Sequence, residues 1–435
     1  MTSSEANAFS SSTNPTVVSG GENHNNNNNH YNQEWRKHRQ RYDIPIYDNN
    51  NKENENENEN EESSFAFGVI ADVQWADVDD GSNYSGTVKR CYRGAFDTLV
   101  RAVDWWQDYN QHQQNDNKNN NINSRIRFIA QLGDLIDGLN AQSGQSDHTL
   151  RLALEELARL EDCPSVNLIA NHELYNFDRQ QLVEQIQNNS QGQQQQWLQD
   201  GDQEYYSFQP TKKGWRVIVL DPYQLSVIGH SSDDPRKIRA SEWLTTENPN
   251  VSPDGANGSN WFDGIEGYQR RFCPYNGGFG DEQLDWLEQE LKKAVEQQER
   301  VMVLSHVILH PEACGGGTMA WDYEQALKLL QTASDGTNSV VAAVLCGHDH
   351  KGNYFCDDFG IHHCTFQSPL NKGTDGWAFG RIHVNDDGME IVGPKLDDLL
   401  PDIPRRPAID IHDDNGQQHE SVHFSFRPMS WTNTA

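Results

Sequence analysis

Five short apolar runs punctuate this chain, and each leads into a residue able to hold a metal ion. Phe65–Ala71 leads into Asp72-Val73-Gln74, and Ile126–Leu132 into Gly133-Asp134, with Asp137 close behind. Val166–Ala170 leads into Asn171-His172-Glu173, Val301–Leu304 into Ser305-His306, and Val340–Leu345 into Gly347-His348-Asp349-His350. Runs of this length, rich in β-branched residues and bounded by glycine and polar residues, read as buried strands. Ligands of α/β sheets gather at the carboxyl ends of the strands. Carboxylate, amide and imidazole donors collected there make a metal site.

The segments between these runs carry helical periodicity. Ala95–Tyr109 spaces Phe96, Leu99, Val100, Val103 and Trp106 along one face, and Thr149–Leu160 does the same with its leucines. Asp281–Glu296 spaces Leu284, Leu287, Leu291 and Val295, with Asp281 placed to cap the helix. Strands alternating with helices predict α/β layers. Asn115–Asn123 and Gln191–Gln196 read as surface loops, and Ser231–Asn260 as an insertion near the site.

Three segments follow from composition. Residues 1–62 are of low complexity, with an Asn25–Asn29 tract and alternating Glu and Asn from Glu53 to Glu62. They are expected to be disordered, because they offer too little apolar surface to offset the entropy of ordering. Residues 63–400 are the expected catalytic domain, and 401–435 a tail with one edge strand at Val422–Phe426. The net charge is −31, of which residues 1–62 hold −6, so the remainder carries −25. Such a body repels nucleic acid and anionic membranes, and no basic stripe offsets it. Seven scattered cysteines without a Cys-x-x-Cys pair argue against a disulfide framework. With no long apolar run and a polar amino terminus, the chain is expected to be soluble and cytoplasmic.

Asp-x-Gln, Gly-Asp-x-x-Asp, Asn-His-Glu, a lone strand-end His and Gly-His-x-His, in that order, resemble the calcineurin-like metallophosphoesterase superfamily. The words around them (Ala71–Gln74, Gly133–Asn140, Asn171–Phe177, Asn276–Phe279 and Gly347–His350) are similar to its manganese-dependent ADP-ribose/CDP-alcohol diphosphatase branch. The match spans about residues 65–395. It implies a four-layer sandwich, two packed mixed β-sheets flanked by helices, with a dinuclear metal site at the carboxyl ends of strands. It also implies two divalent ions, Mn²⁺ or alternatively Mg²⁺, and a small-molecule nucleoside diphosphate derivative as substrate. Two such ions share a bridging hydroxide and clamp a phosphoryl group during in-line attack.

Carried onto this sequence, the resemblance makes Asp134 the bridging carboxylate. Asp72, Gln74 and His350 then complete one ion, and Asn171, His306 and His348 the other. His172 becomes the catalytic residue at the leaving group, where an imidazolium donates a proton. Asp137 and Glu173 are expected to orient the ligands. Gln74 stands where the superfamily usually has His; its harder amide oxygen tilts that ion toward Mn²⁺ or Mg²⁺. Ala170 stands where the family commonly has Gly.

Lys89, Arg90 and Arg93 are candidates for the substrate phosphates, and Tyr84, Tyr175 and Phe177 for stacking on its base. Each of these residues also has a plainer reading, as a helix cap, a core aromatic or a solvated first turn. His148, His310, His362, His363 and His383 are left with that plainer reading, and Asp221 is read as structural. Hydrolysis of ADP-ribose and CDP-alcohols to AMP or CMP plus a phosphorylated alcohol is the leading expectation. A cyclic-nucleotide phosphodiesterase or phosphomonoesterase is the alternative, and a non-catalytic scaffold of the same fold a remote one. Protein partners are not legible.

Overall fold

The structure, a computed structural model, describes residues 44–45, 64–83, 85–115, 125–189, 204–252, 260–401, 403, 411–412 and 418–433. Apart from Ile44–Pro45, the amino-terminal arm lies outside these residues. So do the polar tracts 116–124 and 190–203, and residues 253–259 of the expected insertion.

In chain order the strands are β1 (Ile44–Pro45), β2 (Phe65–Ile70), β3 (Gly81–Ser82), β4 (Lys89–Arg90), β5 (Ile126–Gln131), β6 (Ser165–Asn167), β7 (Tyr206–Gln209), β8 (Trp215–Val219), β9 (Arg300–Ser305), β10 (Val341–Cys346), β11 (Asn353–Cys356), β12 (His362–Thr365), β13 (Phe379–Val384), β14 (Gly388–Gly393), β15 (Ile411–His412) and β16 (Gln418–Ser425). They form two seven-stranded sheets, ordered β15-β16-β14-β13-β2-β5-β6 and β1-β7-β8-β9-β10-β12-β11, and a β3-β4 ribbon. Both sheets are mixed. β2, β5 and β6 are parallel in the first, and β8, β9, β10 and β12 in the second. Parallel pairing turns the carboxyl ends of neighbouring strands to one edge, and all five donor-bearing loops leave from such ends.

The two sheets pack face to face. Phe65, Phe67, Val69 and Ala71 alternate inward from β2 and its end, with Phe128 and Ala130 of β5 beside them. They meet Trp215, Val217, Val219, Met302, Leu304, Ala343 and Leu345 of the other sheet. Ile70, Ile129, Ile218, Val301 and Val303 point to the opposite faces, where helices cover them. This period of two, with both faces buried, is why the strands read as unbroken apolar runs. Each fully buried side chain of this size contributes about 1.5–3 kcal/mol. The helices include α1 (Tyr92–Asn115), α2 (Ser146–Leu157), α3 (Asn171–Asn176), α4 (Pro235–Glu247) and α5 (Gly280–Gln297). Helix, sheet, sheet and helix make four layers.

Four local expectations are corrected or extended. Asp281 is not the cap of α5: Phe279 occupies that position without a side-chain cap. The Asp322 carboxylate, distant in sequence, accepts from the N–H groups of Phe279 (3.0 Å) and Gly280 (2.9 Å) instead. Ser231–Asn260, expected only as an insertion near the site, carries regular structure: it contains α4, started by Asp234, which accepts from Arg236 N, with proline in the first turn. The carboxyl-terminal strand starts earlier than expected, at Gln418. It pairs along all of β14, with β15 beyond it, so it is not the edge. Ile44–Pro45 is likewise an exception to the expected disorder, since it pairs with Phe208 and Gln209 of β7.

Candidate metal centre

The loops that follow β2, β5, β6, β9 and β10 meet where the two sheets abut. Asp72, Gln74, Asp134 and His348 all hold left-handed backbone, at φ of 52°, 46°, 55° and 70°. Such conformations cost about 1–3 kcal/mol each in a non-glycine residue and persist where the surroundings over-determine them. Two glycines permit the crowding. A Cβ at Gly133 (φ 98°) would stand 2.5 Å from His306 Nδ1, and one at Gly347 would stand 2.5 Å from Asp72 Oδ2. Ala170 keeps extended backbone, φ −137° and ψ 174°, so alanine is unstrained where the family commonly has glycine.

Asp134 is the common vertex. It forms one donor cluster with His306 and His348 and a second with Asp72 and His350. Its Oδ2 lies 3.4 Å from His306 Nε2 and 2.9 Å from Gln74 Nε2. Its Oδ1 accepts from His172 N at 2.9 Å. The two oxygens of Asp72 accept from His348 N at 3.0 and 2.9 Å, and Asp72 Oδ1 is 3.7 Å from His350 Nε2. His306 donates its Nδ1–H to Leu132 O at 2.7 Å, which turns Nε2 toward the cluster. Asn171 opens α3, and its Oδ1 accepts from the Tyr223 hydroxyl at 3.0 Å.

The donor set fits divalent cations. Asp72 and Asp134 are buried together. Histidines lie within ion-pair distance of both carboxylates. Burial pushes the Asp72 carboxyl up to about 8, with His306 pulling against it. Burial would raise Asp134 as well, but His172 and His306 hold it well below the usual carboxylate range. Gln74 Oε1 is buried without a hydrogen-bond partner. Half a turn of that amide would set Oε1 among Asp134 and His350, where the amide nitrogen stands 2.9 and 3.0 Å from them. A buried acceptor beside carboxylates and imidazole lone pairs is balanced by a cation.

Around this set, Glu173 accepts from three successive backbone N–H groups, of Asp134 (3.0 Å), Leu135 (2.6 Å) and Ile136 (3.3 Å). It thereby fixes the loop that carries Asp134. Asp137 accepts from Leu139 N at 2.9 Å, and its other oxygen is 3.3 Å from His172 Nδ1. Gly138 N–H donates to the same Nδ1 at 3.1 Å, and His172 Nε2 lies 3.9 Å from Asp134 Oδ2.

The substrate candidates divide. Burial lowers the His350 pKa most, and Arg90 lowers it further; Arg90 also acts against the charge on His172. Lys89 instead pairs with Asp80 at 2.7 Å, and Arg93 with Asp77 and Asp79 at 2.6 and 2.8 Å, on the exposed rim. Tyr175 is half-buried with its ring 5.2 Å from that of His172. Phe177 is committed to the hydrophobic core. Tyr84 lies outside the described residues. Asp221 accepts from Arg179 (2.7 Å), Gln224 (2.7 Å) and Tyr223 N (2.9 Å), which matches a structural reading. Sequence reasoning missed Tyr223 and also Ser368, whose hydroxyl donates to Asp72 O at 2.7 Å. Neither sits in a motif.

A site for two cations at the carboxyl edge of a two-sheet sandwich defines a metal-dependent phosphoesterase. The calcineurin-like phosphoesterase family model matches residues 65–352, and the chain belongs to that family. It is 33% identical over 329 residues to the manganese-dependent ADP-ribose/CDP-alcohol diphosphatase of Arabidopsis thaliana, covering 76% of this chain and 94% of that one. It is 34% identical over 340 residues to the protein of the same name from Homo sapiens, covering 76% and 90%. Among solved structures it is similar to a dimetal phosphatase from Danio rerio, with a TM-score of 0.66, 29% identity, and coverage of 83% of this chain and 99% of that chain. No helix among the described residues is long and apolar enough to cross a membrane.

Proposed function

We propose that this protein is a Mn²⁺-dependent hydrolase that cleaves the diphosphate of ADP-ribose and of CDP-alcohols such as CDP-choline and CDP-glycerol. The products are AMP or CMP and a phosphorylated alcohol. The observation that carries the reading is Asp134 standing in both donor clusters, within a family whose curated relatives bear that name over three quarters of the chain. Asp72, Gln74 and His350 hold one ion beside Asp134; Asn171, His306 and His348 hold the other. When bound, the pair of cations supplies an activated water and neutralises charge on the phosphoryl oxygens.

The remaining chemistry belongs to side chains. With Asp137 3.3 Å from Nδ1, His172 is held as an imidazolium that carries a proton on Nε2 and is left neutral when it gives that proton up. It delivers that proton to the departing phosphate oxygen as the P–O bond to the leaving group breaks. Asp137, beside Nδ1, favours the imidazolium whenever both nitrogens are protonated. Arg90 offers a cation to the second phosphate, and Tyr175 a ring edge beside the leaving group. The cytoplasm suits this chemistry and these thiols, since all seven cysteines are unpaired.

The test is a Mn²⁺-supplemented hydrolysis panel of ADP-ribose, CDP-choline, cyclic nucleotides and p-nitrophenyl phosphate, with products identified. AMP plus ribose 5-phosphate and CMP plus phosphocholine are expected to dominate. A preference for phosphomonoesters or cyclic nucleotides would replace this reading with another activity of the same fold.

A further inference from the structure

We infer that Asn276 is the positioning residue that presents His348 to the second cation and ties that ligand to the glycine-rich segment Gly315–Thr318. The inference rests on the two-cation reading above. Asn276 is fully buried in the turn ahead of α5. Its Nδ2 donates to Arg271 O and to Gly317 O, each at 2.8 Å. Two carbonyls can only accept, so the amide cannot be the other way round. Oδ1 therefore faces His348 Nε2, at 2.6 Å. That oxygen also only accepts, so Nε2 carries the imidazole proton and Nδ1 keeps its lone pair.

His348 Nδ1 stands 3.1 Å from His306 Nε2. The other nitrogen of His306 is already spent on Leu132 O. Two imidazoles thus aim ring nitrogens at one place beside Asp134, where a proton on His306 Nε2 reconciles them in metal-free protein and a metal ion takes its place when bound. Main-chain and amide acceptors behind ligating histidines set the tautomer in this way.

The same amide reaches outward. Gly317 O also receives the Tyr275 hydroxyl at 3.4 Å. Gly315 N and Thr318 Oγ1 donate to Asp349 Oδ2 at 2.7 and 3.4 Å. Asp349 lies between His348 and His350, so the glycine-rich segment is fastened to the cation ligands at both of its ends. Whatever displaces that segment pulls on His348 through one side chain.

The experiment uses the full chain labelled with ¹⁵N-histidine, with Asn276→Ala and Asn276→Asp. In metal-free wild type, the ¹⁵N–¹H correlation of His348 is expected to show the Nε2–H form, and titration to show two Mn²⁺ per chain. Asn276→Ala is expected to lose that tautomer preference and to weaken one Mn²⁺ by about 10–100-fold, leaving the other within about threefold. Asn276→Asp keeps an acceptor for Nε2–H, so the tautomer and the second Mn²⁺ are retained. It loses both donated bonds, so amide exchange across Gly315–Thr318 accelerates. An alanine variant with unchanged tautomer and both affinities intact would overturn the inference, as would equal loss of both ions. If Asn276→Ala does not fold, Asn276→Asp decides: loss of the His348 tautomer there also overturns it. Wild type that binds fewer than two Mn²⁺ refutes the two-cation reading instead, a result separate from the tautomer measurement.

Discussion

At the scale of single residues, the site is a set of strained or pre-set groups held by neighbours that make no claim on the chemistry themselves. His172 is the case with the clearest consequence. Its backbone N–H donates to Asp134, but its ring stays 3.9 Å from that carboxylate and is absent from both donor groups, so His172→Ala should retain two Mn²⁺ per chain while turnover falls by about 10²–10⁴-fold. Metal analysis and initial rates on one preparation check this, and Asp134→Asn is the contrast, expected to lose both ions together. The carboxylates and imidazoles gathered into the two clusters were legible because each follows a strand-like run and keeps its order in the chain. Tyr223 and Ser368 were not, because a lone hydroxyl reaching from 52 or 296 positions away leaves no local pattern. Phe177 takes the plainer of its two readings, a core aromatic. Its place beside a motif suggested stacking on a base, but an unpaired phenyl ring is more stable in the core.

Elements explain how loops so far apart hold their register. Glu173 sits in the first turn of α3 and draws three N–H groups of the loop after β5 onto one carboxylate. Glu173→Gln would set amide hydrogens against at least one of those donors, at about 1–3 kcal/mol for an unsatisfied buried group. A lower melting temperature is expected in metal-free protein, together with weaker Mn²⁺ binding. A variant that melted and bound like wild type would show the loop to be held by other means. Strand and helix cores were readable from periodicity, whereas their ends were decided elsewhere. Asp281 looked like the cap of α5, yet Asp322 does that work from across the fold. The cue for α4, Asp234 followed by Pro235, was present in the sequence but lay in a polar segment read only as an insertion.

For the whole molecule, buried neutral histidines away from the cations set the response to acid. Burial is the main cause in each: His230 is lowered to about 4, with Arg179 adding to it, His310 to about 4, with His363 adding, and His383 to about 3, with Arg381 adding. Unfolded, these rings take a proton near pH 6.5, whereas the folded protein refuses it until about 4 or 3. Their contribution to stability is therefore complete above 6.5 and is lost as pH falls toward 4. In chelator, the melting temperature should drop steadily from pH 7 to pH 4.5, and a flat profile would contradict this reading. The sandwich itself was legible from strand and helix alternation together with the resemblance, while the pairing of β16 along β14 was not, since long-range register has no signal in composition.

His306 from one sheet donates to Leu132 O at the end of the other, and Asp72 of one accepts from the backbone of His348 in its neighbour. Any ion seated among these groups acts as a rivet through the seam between the sheets. Stripping manganese would then do more than halt hydrolysis: it would let the two halves breathe apart, so chelation and mild denaturation would look alike to a protease.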